Sequence, residues 1–333
     1  MLNRLLGIAI FVASILFAWG WMEYDEFINT PLNLPAEGID YDLRPGATVG
    51  LLARELQAEG IIRKPLLLRL YARLHGQASR LKAGEYHLSA GVTPPQLFEI
   101  LTSARVVQHA LTIIEGWTFK QLMAAVRRHP VLRQTLEGVE GGDRIMDKLG
   151  LGEGSPEGLF YPDTYHFPKG TTDVEFLLRA HRRMQKVLQT AWEKRDRDLP
   201  LKSPQEALIL ASIIEKETGI PEERCRIAGV FMRRLRKGMR LQTDPAVIYG
   251  LGDAYDGNIR KRDLLRNTPY NTYIHLGLTP TPIAMPSGAA IEAALHPEAG
   301  NALYFVATGD GGHVFSATLK EHNEAVRRYQ LHR

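Results

Sequence analysis

The sequence holds a single cysteine, Cys225, so no internal disulfide can form. Cys225 sits in "EERCRIAGVFMRRL", which reads as a helix, and with no partner motif around it the thiol is expected to serve as packing filler. Metal-ligand spacing is missing as well. His296, His313 and His322 fall in the C-terminal region, yet no His-Glu-x-x-His or similar pattern joins them. They are expected to be packed or capping residues, and neither a metal nor an organic cofactor is indicated. A Gly-x-Ser-x-Gly elbow is absent, and Ser287 in "PSG" stands in the wrong context for a serine nucleophile. Charge of one sign is also scarce: 41 basic and 37 acidic residues leave a net charge of +4. The densest basic stretch, "MRRLRKGMR" from Met232 to Arg240, has no interleaved aromatics, which argues against nucleic acid as a partner. It is expected to form the solvated face and C-terminal end of a helix, where cations suit the dipole. A basic surface facing an anionic polymer or lipid head groups stays compatible with this balance.

What is present is the composition of a globular protein, 44% hydrophobic and 23% charged over 333 residues, long enough for two domains with separate cores. It begins with an uncharged run from Leu5 to Met22, "LLGIAIFVASILFAWGWM", whose eighteen residues are about the minimum that crosses a bilayer. Arg4 precedes the run, while Glu23, Asp25 and Glu26 follow it, an asymmetry that favours a cytoplasmic N-terminus. Trp19, Trp21 and Tyr24 would form the outer aromatic belt. The small-x-small site "AWG" keeps a cleaved signal peptide as the rival reading; the weakly basic start and the belt favour a retained anchor. Either way the body of the protein is expected outside the cytoplasm. The segment "NTPLNLPAEG", Asn29 to Gly38, is Pro-rich and polar and reads as a linker.

A pattern Gly-x-Thr-x3-Leu-x3-Leu/Val then occurs three times, in "GATVGLLAREL", "GVTPPQLFEIL" and "GWTFKQLMAAV". Each follows a strand-like run, and each Thr is placed to cap a helix whose apolar residues four and eight positions on face a core. Gly46 and Gly91 are expected to supply turn conformations. The uneven spacing excludes a solenoid. With "KPLLLRLYARL" as a further helix, residues 41–105 read as a small α+β module that resembles LysM-like carbohydrate-binding modules in strand and helix order; a spacer role is equally compatible. The fold class is therefore α+β: residues 1–4 as a cytoplasmic stub, 5–22 as a transmembrane helix, 23–40 as linker, 41–105 as the LysM-like module and 106–333 as a larger catalytic domain.

In that larger region "EGLFYPDTYHFPKG" reads as a loop, "DVEFLLRAHRRMQKVLQTAWEKR" as a long amphipathic helix, and "SPQEALILASIIEKET" as a buried helix capped by Ser203 with Glu206 in capping-box position. The buried helix ends in Glu215 and Glu217, which two-residue spacing turns towards nearly opposite faces. Desolvation at such a position raises a carboxyl pKa into the range a general acid needs. The plainer reading pairs both with Lys216, Arg224 or Arg226. Downstream, "LQTDPAVIYG", "NTPYNTY" and "GLTPTPIAMPSG" supply amides, phenols and rigid Pro loops suited to a saccharide groove. Spacing alone does not choose between the two glutamates.

Taken together, the N-terminal anchor, "LKAGEYHLSAGVTPPQLFEIL", "EGLFYPDTYHF", "ASIIEKET", "RLQTDPAVIYG", "YNTY" and "LYFVATGDGGHVFSATLKEHN" make nearly the whole chain resemble the YceG-like (MltG-type) membrane-anchored endolytic murein transglycosylases. The resemblance implies a lyase that cuts the β-1,4 bond between N-acetylmuramic acid and N-acetylglucosamine inside nascent peptidoglycan strands, leaves a 1,6-anhydro-muramyl end and so ends polymerisation. It implies peptidoglycan synthases as partners and a single-pass location in the cytoplasmic (inner) membrane with the catalytic domain on the periplasmic side. Carried over by position, it puts the acid on Glu217 and makes Glu215 a groove-wall or salt-bridge residue. Gln242, Asp244, Tyr249, Asn271 and Tyr273 are expected to line the groove. Asp163 in "YPDTY" is a candidate auxiliary that either supports positive charge on the sugar or closes a turn. The sequence departs from the family pattern at Thr281, where Gly is usual, and at Met285, where Asn is usual. The competing functional class is a non-catalytic, anchored glycan-binding scaffold for cell-wall synthases.

Overall fold

A computed structural model describes residues 2–331, which divide into two compact units. The first comprises the chain up to His109 together with His166–Lys169; the second comprises Ala110–Tyr165 and the chain from Gly170 onward.

The first unit begins with α1 (Leu2–Asn29), which runs past the apolar stretch and on through residues expected to be linker. Residues 4–29 are long and apolar enough to cross a membrane, with a mean hydropathy of 2.1. The following Pro-rich stretch is packed rather than loose. Phe27 and Leu32 are buried, and the Leu32 N–H donates to Val92 O at 2.8 Å. Then come β1 (Ile39–Leu43), α2 (Val49–Ala58), α3 (Pro65–Leu74), β2 (Gly84–Leu88) and α4 (Pro94–Thr102). β1 and β2 pair antiparallel, with Ile39 opposite Leu88 and Leu43 opposite Gly84. Alternation sends Tyr41, Leu43, Tyr86 and Leu88 inward, where Leu52, Leu56, Leu68, Leu97, Phe98 and Leu101 close the core.

The second unit contains β3 (His109–Thr112) from Ala110 onward, α5 (Phe119–Arg128), α6 (Gly142–Lys148), β4 (Thr164–Phe167) up to Tyr165, α7 (Asp173–Lys194), α8 (Pro204–Glu217), α9 (Arg224–Arg236), α10 (Asp244–Leu251), α11 (Lys261–Leu264), α12 (Gly288–Leu295), β5 (Tyr304–Ala307), β6 (His313–Ser316) and α13 (Leu319–Val326). β4 lies inside the stretch expected to be all loop. Long-range pairing overrode the local Pro and aromatic signals there: Ile113 N–H donates to Asp163 O at 3.0 Å, and the Thr112 and Thr164 hydroxyls are 2.9 Å apart. β5 and β6 form an antiparallel pair with Tyr304 opposite Ser316.

The threefold Gly-x-Thr pattern produces the same local structure each time. Gly46, Gly91 and Gly116 have φ of +77°, +86° and +74°, a left-handed turn that a Cβ would strain. Thr48, Thr93 and Thr118 are the N-caps of α2, α4 and α5. Leu52 and Leu56, Leu97 and Leu101, and Leu122 and Val126 are all fully buried.

Helix α8 is the axis of the second unit. Its apolar residues leave no polar face, so every residue from Ala207 to Ile214 is buried against α7, α9, α10 and α12. Ser203 caps it by accepting from Glu206 N–H at 3.2 Å, while the Glu206 carboxylate takes the Lys202 N–H at 2.6 Å instead of closing a capping box.

Candidate active site

The last turn of α8 settles where its two glutamates point. Glu215 Oε2 accepts from the Ser287 N–H at 2.9 Å and from the Ser287 hydroxyl, so it fastens the start of α12. Between the two, Lys216 Nζ donates to Gly116 O at 3.3 Å. The cations expected to pair with Glu215 are not its partners among the described residues, because the hydroxyl and amide of Ser287 take its carboxylate first. Glu217 turns the other way, into a cleft of about 450 Å³ lined by Arg234, Gln242, Asp244, Tyr273, Tyr304, Phe305, His313 and His322 among others. The residue after it, Thr218, ends the helix in an extended conformation. Its buried hydroxyl accepts from Ile220 N–H at 3.0 Å and reaches Glu223, which in turn holds His313 Nδ1 at 2.7 Å.

Burial raises the Glu217 pKa to about 7. A hydrogen bond from Thr243 Oγ1 and the charge of Arg234 oppose that rise, while the neighbouring Asp244 carboxylate adds to it. Thr243 is itself fixed, its N–H donating to Thr272 Oγ1 at 3.0 Å. Tyr273 donates its phenol to Asp244 Oδ1 at 2.7 Å. Burial and that carboxylate keep the phenol protonated well above the usual range, so it remains a donor. Gln242, at the mouth of α10, carries a positive φ of +51°, a conformation that costs about 1 kcal/mol or more and recurs at functional sites. It is held by its N–H to Thr272 O at 3.1 Å and by Arg234 Nη1, 3.3 Å from its Oε1.

Arg234 corrects the expectation for the basic run. It is buried rather than solvated, and its guanidinium donates to Leu303 O at 2.7 Å, Leu241 O at 2.8 Å and Arg240 O at 3.2 Å while lying 5.0 Å from the Tyr304 ring centre. Burial lowers its pKa, and the nearby Glu217 partly restores it. It ties β5 to the segment before α10 and places a positive charge by the carboxyl. His322 also stacks on Tyr304, at 5.2 Å, and burial followed by the Arg234 charge lowers its pKa, which favours a neutral ring.

The structure thus brings Glu217, Gln242, Asp244 and Tyr273 to one cleft and puts the other expected residues elsewhere. Tyr249 is not on that wall: its phenol donates to Glu157 Oε2 at 3.1 Å and its ring meets Tyr270 edge-on at 4.8 Å. Asn271 is fully buried and acts on the loop backbone, donating to Arg266 O at 2.8 Å and Leu264 O at 3.1 Å and accepting from Tyr273 N–H at 2.9 Å. It orients Tyr273 without lining the cleft. Asp163 is exposed, and its carboxylate takes the amide of the next residue, Thr164, at 2.8 Å, closing the turn before β4. Three residues are not legible from the sequence: Arg234, Thr243 beside Glu217, and the buried Glu157. Glu157 accepts from Phe119 N–H at 2.9 Å at the first turn of α5, and burial raises its pKa to about 7. Its only sequence signal was its place at the head of "EGLFYPDTYHF". Among the described residues no His, Cys, Asp and Glu cluster could hold a metal ion.

A YceG-like family model matches residues 41–328. An endolytic murein transglycosylase of Bacillus subtilis (strain 168) is 32% identical over 324 residues, covering 92% of this chain and 87% of that protein. One from Streptococcus pneumoniae serotype 2 (strain D39) is 27% identical over 355 residues, with 93% of this chain matching 62% of its longer sequence. A 2.6 Å crystal structure of a yceG-like protein from Listeria monocytogenes aligns with a TM-score of 0.51 and 30% identity, covering 87% of this chain and 99% of that one. By the reach of the family match and the likeness to the Bacillus relative, this chain belongs to the YceG-like family.

Proposed function

We propose that the chain is an endolytic peptidoglycan lytic transglycosylase with Glu217 as its acid and base. The observation that carries the reading is a buried carboxyl, raised to a pKa of about 7, set in a polar and aromatic cleft at the end of a buried helix. The names of the similar proteins from Bacillus and Streptococcus support the substrate class, murein. Protonated Glu217 gives its proton to the oxygen that links N-acetylmuramic acid to the next N-acetylglucosamine, and the bond from muramyl C1 to that oxygen breaks. The muramyl C6 hydroxyl then bonds to C1, and its proton returns to the Glu217 carboxylate. No water is consumed, which is why one carboxylate serves where a hydrolase uses two. In this scheme Asp244, held by the Tyr273 phenol, supplies negative charge to the electron-poor sugar, and Arg234 steadies Glu217 in its ionised interval. Tyr304, Phe305 and the neutral His322 make the wall of the cleft that sugar rings would meet.

In this reading α1 is a retained anchor with a cytoplasmic N-terminus. Residues 41–105 then act as a LysM-like module, a role supported by two helices, α2 and α3, that connect the paired strands β1 and β2. Cutting nascent strands beside the synthases that make them would end polymerisation. The test is mass spectrometry of glycan ends after the full-length protein in detergent meets peptidoglycan, comparing wild type, Glu217→Gln and Glu215→Gln. New 1,6-anhydro-muramyl ends that vanish only with Glu217→Gln are the expected result. Reducing ends would mean a hydrolase. Peptidoglycan binding without any cleavage would mean a glycan-binding scaffold.

A further inference from the structure

Helix α3 has two apolar faces, and only one of them has a partner among the described residues. Leu68 and Ala72 are buried in the core of the first unit. On the far side Leu66, Leu70 and Leu74, spaced by four, are 72%, 42% and 64% exposed. Three leucines in a row facing outward are a cost in water and mark a surface that something covers. Arg69 and Arg73 are exposed on the same helix, and Arg63 and Lys64 stand at its N-terminal end. From Gly60 to Gly84 the chain carries six cations, these four with Arg80 and Lys82, and no carboxylate.

The place of α3 indicates what covers it. Lys64, its N-cap, pairs with Glu23 of α1, and His75, its C-cap, lies 3.4 Å from the Tyr24 hydroxyl. Glu23 and Tyr24 directly follow Met22, the end of the uncharged run. Both ends of a ten-residue helix, about 15 Å long, are therefore tied to consecutive residues at the level where α1 leaves its apolar stretch. Trp19 and Trp21, just before that level, are exposed as interfacial residues are.

We propose that α3 is a membrane-surface helix. Leu66, Leu70 and Leu74 enter the interfacial layer of the bilayer that α1 spans, and Arg63, Arg69 and Arg73 meet anionic lipid head groups. An apolar row flanked by cations is the pattern of helices that lie in this layer. The docked helix would fix the orientation of the first unit at the membrane instead of leaving it to swing on one anchor. The inference rests on α1 lying in a bilayer and is independent of the catalytic reading.

The test uses the full chain with Cys225→Ala, reconstituted in vesicles, with single spin labels at Leu66→Cys, Leu70→Cys and Leu74→Cys. Gln57→Cys on the exposed side of α2 is the aqueous reference, and Phe17→Cys reports whether α1 is in the bilayer. In phosphatidylglycerol-containing vesicles the three α3 labels should show several-fold lower access to a water-soluble nickel chelate than the label at position 57, with higher access to oxygen. Replacing Arg63, Arg69 and Arg73 together by Gln should reduce that shielding. Nickel access equal to that at position 57, with the position 17 label buried, overturns the proposal. A position 17 label open to water overturns it by removing its premise. Shielding that grows with protein concentration at fixed lipid means that a second copy covers the row, and also overturns it. Equal shielding in pure phosphatidylcholine overturns the head-group part.

Discussion

Thr243 gives its side-chain hydroxyl to Glu217 Oε1 and not to the amides of the helix it precedes. A threonine at an N-cap ordinarily satisfies backbone donors, so its use here leaves the start of α10 less well capped in exchange for a fixed carboxyl orientation. The bond also favours the charged carboxylate and keeps burial from raising its pKa further. Thr243→Val removes the donor at nearly constant volume. The alkaline limb of its rate profile should move up by about one pH unit, with a lower rate at the optimum, because a charge-assisted hydrogen bond is worth roughly 1.5–3 kcal/mol.

With Glu217 at about 7, kcat/KM for anhydro-end formation should fall as pH rises through 7, because the acid must be protonated in the free enzyme. The decline should approach tenfold per pH unit. Glu217→Gln should lower the rate by about 10²–10⁴ and abolish that limb. A wild-type profile flat from pH 6 to 9 would remove Glu217 as the titrating acid.

The same titration appears in stability. Glu157 and Glu217 both have folded-state pKa values raised from an ordinary 4.5 to about 7. Such groups contribute stability below the unfolded pKa and lose it as pH rises through the folded one, because the folded chain holds protons that the unfolded chain releases. Between pH 4.5 and 7 each ionisation should remove about 3 kcal/mol. Glu217→Gln should therefore melt several degrees above wild type at pH 8, and the gain should vanish near pH 4.5. Scanning calorimetry at the two pH values checks this.

Glu215 and Ser287 form a structural pair that joins α8 to α12. Glu215→Ala and Ser287→Ala should each cost about 1–3 kcal/mol of stability, and the double variant should cost less than their sum. Activity per folded molecule should remain within a few-fold of wild type. Glycan-end assays beside denaturant melts separate the two effects.

Arg234 should tolerate no exchange for lysine. An ammonium cannot reach Leu303 O, Leu241 O, Arg240 O and Gln242 Oε1 together as the guanidinium fork does. Arg234→Lys should lower stability by about 2 kcal/mol and reduce turnover more than a surface arginine exchange such as Arg182→Lys. Equal melting curves and rates for Arg234→Lys and wild type would contradict this role.

Local chemistry made much of the fold legible in advance. Gly46, Gly91 and Gly116 with their capping threonines act within a few residues of chain, and their apolar partners follow at helical spacing. The stretch from Ala207 to Ile214, apolar but for Ser212, could be stable only as an enclosed helix, which makes the carboxyls at its end conspicuous. Glu215 and Glu217 had to diverge because of helical geometry, and the motif resemblance points to Glu217, the one proposed here as the acid.

The pairings across the chain were decided only in three dimensions. Position within a sequence does not reveal desolvation or which donor arrives first, so Arg234 read as solvated and Glu157 as part of a loop. Tyr249, half-buried, and Asn271, fully buried, read as sugar contacts but became members of hydrogen-bond networks once Glu157 and the carbonyls after α11 stood beside them. Periodicity and capping chemistry were enough for α2, α4, α5, α7 and α8, for the N-terminal apolar run and for the two candidate acids, because these follow from a few residues of local chain. Which acid faces a cleft, what raises its pKa and what surrounds it came from tertiary packing, because burial and hydrogen-bond partners are properties of neighbours far away in the chain.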